Sequence, residues 1–356
     1  MTRVRKRGED VRSFILNNVE KHPNDLTGVT AAHFKITRQA VNKHLQRLTR
    51  EHALSESGRT RNRIYTLPPL VEWKGSYDIS PALAEDLIWT KDVLPVLGRQ
   101  PENVLDIWHY GFTELLNNAK DHSGGKHILV WIRKTAVATE LYISDDGIGI
   151  FKKIQNALSL LDERHAILEL SKGKLTTDPR RHTGEGIFFA SRMFGLFGIY
   201  SGEVYFGHEF GAAEDWIVEG EKVGVGTTVR MKLSNHTSRT VKKIFDAYTS
   251  DEDYGFNKTV VPVKLAQYGN DKLVSRSQAK RVLARVELFK IVLFDFSEVP
   301  TIGQAFADEI FRVFPLEHPT IELHAVHANS EVRRMIERAR SGRVAVDAAR
   351  KGVPPE

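Results

Sequence analysis

The stretch 141-LYISDDGIGI-150 decides the fold of the middle of this chain. Apolar and polar residues alternate up to Asp145, as in a half-buried strand, and two glycines then mark a tight turn. A carboxylate at a strand end is a hydrogen-bond acceptor, and Gly147 and Gly149 carry no Cβ that would keep a ligand away from the backbone. The pattern predicts a strand that ends in a binding turn.

Three other segments complete the pattern. The helix predicted for 111-GFTELLNNAKDHS-123 places Glu114 and Asn118 four residues apart on one face. The segment 181-RHTGEGIFFASRMF-194 is a glycine-rich turn that opens an apolar helix, and 224-GVGTTVRMKL-233 is a turn that leads into a strand. Each segment joins a regular element to a turn, which is where ligand-binding groups gather.

The glycine-rich pieces have a chemical reason to belong to a nucleotide site. Asp145 can accept a hydrogen bond from the exocyclic amine of adenine, and Gly147 and Gly149 leave room for the base. Gly184 and Gly186 leave similar room near the phosphates. The helix that opens at Gly186 presents free N–H groups to anionic oxygens.

The polar side chains of the first helix suit a metal and a reaction. Asn118 offers a side-chain oxygen to Mg²⁺, which takes its remaining ligands from phosphates and water. Glu114, one turn earlier, can hold or deprotonate an attacking water. The two residues would suit a Mg²⁺ ion and an attacking water beside the phosphates of a nucleotide.

In this order, the segments resemble the four motifs of the Bergerat-fold ATPases (GHKL, histidine kinase-like), which include gyrase, the Hsp-type chaperone, sensor histidine kinases and MutL. The resemblance covers residues 100–235 and implies a two-layer α/β sandwich that binds ATP. It makes Glu114 the catalytic residue and Asn118 the magnesium ligand, and it places the last motif on Gly226 and Thr227. The cofactor-binding residues that it implies are Asn118, Asp145, Gly147, Gly149, Gly184, Gly186 and Thr227.

The departures from that family bear on the activity. No two-helix hairpin with a phosphoacceptor histidine precedes the motifs, and no lysine-delivering second domain follows them. Sensor-kinase activity and fast clamp-type hydrolysis are therefore not expected, and slow hydrolysis and binding without turnover both remain open. Residues 151–181 correspond to the family's mobile lid, whose Lys172, Lys174, Arg180 and Arg181 either contact phosphates or form a solvated basic loop.

The basic charge is concentrated at the N-terminus. Residues 1–66 hold 14 Lys and Arg against 6 Asp and Glu, a net charge of +8, whereas the whole chain carries +6. The order of helices followed by a hairpin with an arginine-rich tip resembles a winged helix-turn-helix domain. Because the excess charge is confined to this segment, it indicates a polyanion partner, which the resemblance identifies as DNA.

The DNA-binding resemblance assigns two groups of residues. The second helix of the helix-turn-helix is capped by Thr37 and turns its polar faces outward, towards a major groove, and the arginines of the hairpin contact phosphates. A winged helix used only for protein contacts is the alternative. The predicted DNA-binding residues are Arg38, Gln39, Asn42, Lys43, Arg59, Arg61 and Arg63.

The C-terminal part alternates strand and helix from residue 258 onward. The run 290-KIVLFDFSEVPTIGQAFADEIF-311 resembles the STAS-like fold of anti-sigma-factor antagonists. Alignment of its DFSEV segment puts Gln304 near the serine that is phosphorylated in those antagonists. Since glutamine cannot accept a phosphate, no serine switch is expected here, and the resemblance implies a protein partner.

The predicted fold class is multidomain: a winged helix, mostly α with a β-hairpin, an α/β two-layer sandwich and a small α/β STAS-like domain. The absence of cysteine and of any apolar run near the ~18–20 residues of a membrane span fits a cytoplasmic protein without membrane contact. The predicted boundaries are 1–69 (winged helix), 70–100 (connector helix), 101–235 (ATP-binding domain), 236–257 (linker), 258–340 (STAS-like domain) and 341–356 (disordered tail).

The predicted function is an ATP- and Mg²⁺-dependent switch with slow hydrolysis, which couples the ATP-binding domain and the fused STAS-like domain to DNA binding by the winged helix, as in a transcription regulator. One alternative is an anti-sigma-type protein kinase that acts on a separate partner. Another is a non-catalytic nucleotide-sensing interaction module, and a third is an ATP-gated DNA clamp that forms a homodimer. The sequence leaves these alternatives open.

Overall fold

A computed structural model describes residues 3–58, 62–176, 183–211, 215–219, 224–249, 255–267 and 272–350. For residues 3–6, 215–219 and 342–350 the description covers the backbone only. The described chain is a mixed α/β protein of several units, as the sequence predicts at that level. We refer to an N-terminal module, a central body and a C-terminal unit.

The N-terminal module consists of three helices and a short hairpin with a core of its own. The apolar residues of the helices recur at helical spacing, and Val11, Ile15, Val41 and Leu45 are buried together. Its elements are α1 (Arg3–Asn18), α2 (Leu26–Phe34), α3 (Arg38–Arg50), β1 (Ser55–Ser57) and β2 (Ile64–Thr66).

The central body is built on a seven-stranded sheet in which every neighbouring pair is antiparallel. The strands lie in the order β3, β4, β5, β9, β6, β7, β8. The pairing of β5 with β9 brings a strand from each half of the body to the centre of the sheet. The strands are β3 (Val71–Asp78), β4 (His127–Lys134), β5 (Ala138–Asp145), β6 (Leu196–Ser201), β7 (Val204–Glu209), β8 (Asp215–Glu219) and β9 (Thr227–Ser234).

Helices cover the apolar face of this sheet. The long helix α6 (Glu102–His122) contacts β4, β5 and β9, and α9 (Gly186–Met193) contacts β6. Trp108 and Phe112 of α6 are fully buried. The other helices of the body are α4 (Glu85–Ile88), α5 (Leu94–Leu97), α7 (Ile150–Leu158), α8 (Glu163–Lys172) and α10 (Val241–Tyr248), with a π-helical turn, Trp89–Val93, between α4 and α5.

The C-terminal unit has a three-stranded parallel sheet in the order β10, β11, β12. Strand and helix alternate along it as the sequence predicts. Its elements are β10 (Lys258–Pro262), α11 (Arg276–Leu283), β11 (Ile291–Asp295), α12 (Gln304–Asp308), α13 (Phe314–Glu317), β12 (Glu322–Val326) and α14 (Ser330–Arg350), joined by 3₁₀ turns at Val263–Ala266 and Val286–Leu288 and a π turn at Glu309–Val313.

Three segments differ from the sequence prediction. The expected connector contributes β3 to the edge of the sheet, because Trp73 and Tyr77 pack against the core on either side of Gly75. The expected lid contains two helices, α7 and α8, of which α8 is buried along nearly its whole length. The last helix runs to Arg350, past the boundary expected at residue 340.

The central body and the C-terminal unit share one apolar core. Phe188 and Phe189 of α9 pack against Phe256, which precedes β10, and Phe256 in turn packs against Phe289. A continuous buried cluster joins units far more firmly than a flexible linker does. Among the described helices, none combines the length and the hydropathy that a membrane span requires.

Candidate functional site

The four predicted motifs meet around one cavity of about 300 Å³. Helix α6 brings Glu114 and Asn118 to its wall, and β5 ends in the cavity at Asp145. Gly184, Gly186 and Thr227 also line it. The volume is at the lower end of the range for small-ligand sites.

Asp145 is the buried carboxylate of this cavity. Only 8% of the residue is exposed, and its Oδ1 accepts hydrogen bonds from the backbone N–H groups of Gly147 (2.9 Å) and Thr227 (3.2 Å). Burial raises the pKa of Asp145, although these two backbone donors oppose the shift. The two N–H groups fix the direction of the carboxylate at the cavity wall.

The glycines around Asp145 allow a close approach of backbone segments. A Cβ on Gly226, whose φ is +84°, would lie 1.9 Å from the carbonyl oxygen of Asp145. A Cβ on Gly147 would lie 2.2 Å from the carbonyl oxygen of Ser123. Gly149 has φ +91° and leads directly into α7, where the Ile150 N–H donates to Thr227 Oγ1 at 2.9 Å. Only glycine fits such contacts without strain.

The neighbouring Asp146 faces away from the cavity. It is exposed, and its carboxylate accepts from the N–H groups of Lys126 (2.6 Å) and His127 (2.9 Å) and pairs with His127 Nδ1 (2.8 Å). These hydrogen bonds hold the pKa of Asp146 well below its usual range. Asp146 therefore stabilises the turn through its bonds to Lys126 and His127, whereas Asp145 faces the cavity.

The second glycine motif and helix α6 approach each other closely at Glu114. A Cβ on Gly186, the first residue of α9, would lie 2.0 Å from Glu114 Oε2. Burial and the nearby carboxylates of Glu114 and Glu185 raise the pKa of Tyr110. Burial also raises the pKa of Glu185. A carboxylate thus lies at the N-terminus of the helix predicted to receive the phosphates.

The oxygen donors of the cavity limit which cation it can hold. Within the described part of the chain, no cluster of three or more His, Asp or Glu could hold a metal by itself. Asn118 and Glu114 face the same cavity from successive turns of α6. This set fits Mg²⁺, which is held by one or two protein oxygens together with phosphates, and it does not fit a metal that needs a full protein cage.

Several residues of the cavity were missed by the sequence reasoning. Its apolar wall includes Ile143, Ile154 and Leu175, and its polar rim includes His122 and Lys153. Lys153 Nζ donates to the His122 carbonyl at 2.5 Å, and burial lowers its pKa. The sequence contained a signal for the apolar wall, because Ile143 and Asp145 are two residues apart in β5 and therefore share a face of the strand.

The lid cations do not all face the cavity. Lys172 is fully buried and donates to the Ala284 carbonyl at 2.8 Å. Lys174 donates to the Leu288 carbonyl at 2.9 Å. Both side chains therefore bind the C-terminal unit and not a phosphate in the cavity. Arg180 and Arg181 lie outside the described residues. The prediction that Lys172 and Lys174 form a solvated loop is wrong, since the two side chains contact residues 281–289.

The predicted DNA-binding residues of α3 form an exposed surface. Thr37 caps the helix, and its Oγ1 accepts from the Ala40 N–H at 3.2 Å. In the hairpin, Arg63 pairs with Glu56 at 3.6 Å, and Arg59 and Arg61 lie outside the described residues. The residues that are exposed on α3 are Arg38, Gln39, Asn42 and Lys43.

The position expected to correspond to a phosphorylated serine lies at a helix start. Gln304 is exposed and is the first residue of α12, after Gly303. Asp295, at the end of β11, accepts from the Ser297 N–H (2.9 Å), Ser297 Oγ (2.8 Å) and His327 Nδ1 (3.0 Å). These bonds give Asp295 a structural role at the strand end.

Comparison with known proteins identifies one part of the chain. Residues 278–333 match a family described as a STAS-like domain of unknown function (DUF4325). No curated protein matches the chain. The matched segment begins in α11 and ends in α14. The C-terminal unit therefore contains a STAS-like domain.

Proposed function

We propose that the central body is a Bergerat-type ATP-binding domain whose nucleotide state controls the units on either side of it. The observation that carries the proposal is the convergence of Asp145, Asn118, Glu114, Gly184 and Gly186 on one cavity, which Gly147 and Gly149 do not line. Glu114 and Thr227, which are 113 positions apart in sequence, line the same cavity. A structural strand-helix turn does not require such convergence of polar groups.

The geometry suggests how each residue would act on ATP. The outward oxygen of Asp145 accepts from the adenine amine, since its Oδ1 is already occupied by two N–H groups. The backbone N–H groups at the start of α9 would bind phosphate oxygens. Asn118 would hold Mg²⁺, which when bound would neutralise charge at the phosphates. Glu114 would orient the attacking water and take its proton as the water oxygen bonds to the γ-phosphorus and the bond to the β–γ bridging oxygen breaks, with ADP as the leaving group.

The N-terminal module is proposed as a winged helix that binds DNA through α3. Lys43 is exposed on that helix and lies at a groove that is also lined by Arg12, Gln39 and Arg47. Cations on one face of a small module with a net charge of +8 suit a phosphate backbone. The arginines of the β1–β2 hairpin would add further contacts to phosphates.

Replacement of Lys43 by alanine is expected to weaken DNA binding at low salt and to lower the slope of log K against log salt by about one unit, because one phosphate contact is lost. Lys242→Ala is the control, since Lys242 is an exposed lysine of α10 in another unit. Filter binding or fluorescence anisotropy over a salt series measures both. Equal slopes for the two variants would contradict a DNA surface on α3.

Strand β9 connects the nucleotide cavity to the N-terminal module. Thr227 at its start lines the cavity, and Lys232 near its end pairs with Glu20 of the module at 2.8 Å. The Lys232 ammonium also lies 3.4 Å from Glu140. Since a strand rises by about 3.4 Å per residue, the two ends are roughly 17 Å apart. A rigid strand is a direct route between the two sites.

The switch proposal is tested by DNA affinity with and without ATP and Mg²⁺ at matched salt. Because a ligand shifts an equilibrium only through differential affinity for two states, we expect DNA affinity to change by about fivefold or more when the cavity is filled. Lys232→Ala should reduce that change and leave ATP binding intact. Identical DNA affinities in both conditions would rule out the coupling.

A further inference from the structure

We propose that the STAS-like domain completes the nucleotide site of the same chain, and that Arg285 is the residue that positions the lip of the cavity. This inference rests on the proposed nucleotide-binding function. The lip is defined as residues 172–176, the segment that leaves α8 and runs along the cavity. Arg285 lies within the STAS-like segment 278–333.

The lip lies between the cavity and the STAS-like domain. Leu175 and Thr176 line the cavity, and the Leu175 N–H donates to the carbonyl of Gly184 at 3.2 Å. The preceding residues, Lys172 and Lys174, contact the STAS-like domain through their side chains. A shift of the lip would therefore change the cavity wall and the domain contact together.

Arg285 binds the end of α8 through its guanidinium group. Its Nη1 donates to Glu169 Oε2 at 3.2 Å and to the Glu169 carbonyl at 3.4 Å. Its Nη2 donates to the carbonyl of Gly173 at 3.2 Å and to that of Lys174. These carbonyls belong to the last turn of α8 and the residues after it, where a helix lacks internal donors. The Arg285 group thus caps the helix and fixes the first half of the lip.

Lys172 makes the reciprocal contact. Its ammonium group is buried and donates to the carbonyls of Arg281 (3.0 Å) and Ala284 (2.8 Å), at the end of α11. It also pairs with Glu169 at 2.7 Å. Each unit therefore places a cation on the unsatisfied carbonyl end of the other unit's helix, where the helix dipole favours positive charge. The carboxylate of Glu169 lies between the two cations.

Two residues at this contact have left-handed backbone conformations. Arg285 has φ +63°, a left-handed conformation that a residue with a branched or long side chain rarely adopts. Gly173 has φ +83°, and a Cβ there would lie 2.6 Å from the ring of Phe256. On the other side of the lip, Thr259 Oγ1 of β10 donates to the Lys172 carbonyl at 2.7 Å. Strained backbone persists where the surrounding contacts determine it.

The test compares three full-length variants by calorimetric titration with ATP and Mg²⁺. Arg285→Asn removes the guanidinium but keeps a residue that tolerates the left-handed backbone, and we expect it to weaken ATP binding about fivefold or more. Arg285→Lys should recover part of the affinity, because an ammonium still reaches a carbonyl. Arg276→Met, an exposed arginine at the start of α11, should bind as the unchanged chain does.

Hydrogen exchange gives a readout that lost stability alone would not produce. In the unchanged chain, ATP should slow exchange of the amides of residues 281–289, and Arg285→Asn should abolish that protection at nucleotide saturation.

Should Arg285→Asn not fold, Thr259→Val tests the same lip from its other side. ATP binding of equal strength in Arg285→Asn, with unchanged protection, would overturn the inference and leave the proposed function intact. Failure of the unchanged chain to bind ATP would overturn the proposed function as well.

Discussion

Substitution of Asp145 by asparagine is expected to weaken ATP binding about 5- to 150-fold, which corresponds to a cost of ~1–3 kcal/mol for a poorly paired buried polar group. The Gly147 and Thr227 N–H groups require an acceptor, so the asparagine would keep its oxygen towards them. Its NH₂ group would then face the amine of adenine, donor against donor. Calorimetric titration of the variant measures the loss.

Asp146→Asn is the matched control for this prediction. The two aspartates are adjacent, but Asp146 is exposed and binds the turn at Lys126 and His127. Its ATP affinity should stay close to that of the unchanged chain. A loss of affinity in Asp146→Asn that equals the loss in Asp145→Asn would show that the turn, and not the buried carboxylate, matters.

Thermal unfolding separates lost binding from lost folding. Burial raises the pKa of Asp145, so in the folded chain without nucleotide the ionised form is disfavoured relative to the unfolded chain. The stability that this shift contributes is present at acid pH and is lost as the pH rises through the raised pKa. At neutral pH, a neutral asparagine should therefore leave the melting temperature unchanged or raise it. A large decrease would contradict this reading of the site.

Substitution of Glu114 by glutamine is expected to lower ATP turnover about 10²- to 10⁴-fold, the usual contribution of a positioned general base. Glutamine has nearly the volume of glutamate and fits against Gly186, so ATP affinity should change little. Phosphate release under single-turnover conditions measures the chemical step. Unchanged turnover in the variant would remove Glu114 from the reaction.

Glu185→Gln is the control for this carboxylate. Glu185 precedes α9, is half-buried, and lies close enough to Lys174 for the lysine to oppose the rise in its pKa. It contributes a charge near the site, but the cavity wall contains Glu114 and not Glu185. Turnover should therefore survive in Glu185→Gln. Loss of turnover in Glu185→Gln alone would transfer the role of base to that residue.

The sequence predicted those parts of the site whose residues lie close together along the chain. Asp145 and its two glycines are consecutive in the chain, and Glu114 and Asn118 share a helix face by spacing alone. Local geometry of this kind follows from the backbone periods of strand and helix. The sequence also predicted the order of the strands and helices of the C-terminal unit.

The parts that were missed depend on contacts between distant residues. Lys172 and Ala284 are 112 positions apart, and no local pattern indicates that a lysine of the expected lid caps a helix of another unit. Residues 71–78 were expected to belong to a connector, and the structure shows them as strand β3. Its pairing with β4 is a tertiary contact that overrides the weak local signal.

The most direct test of the account is a calorimetric titration of the full chain with ATP and Mg²⁺, run beside GTP. We expect saturable binding of ATP and weaker binding of GTP, because guanine presents a carbonyl oxygen where adenine presents its amine, and that oxygen would face the Asp145 carboxylate. Absence of ATP binding at millimolar concentration, or equal binding of ATP and GTP, would contradict the assignment of Asp145 as the adenine-reading residue.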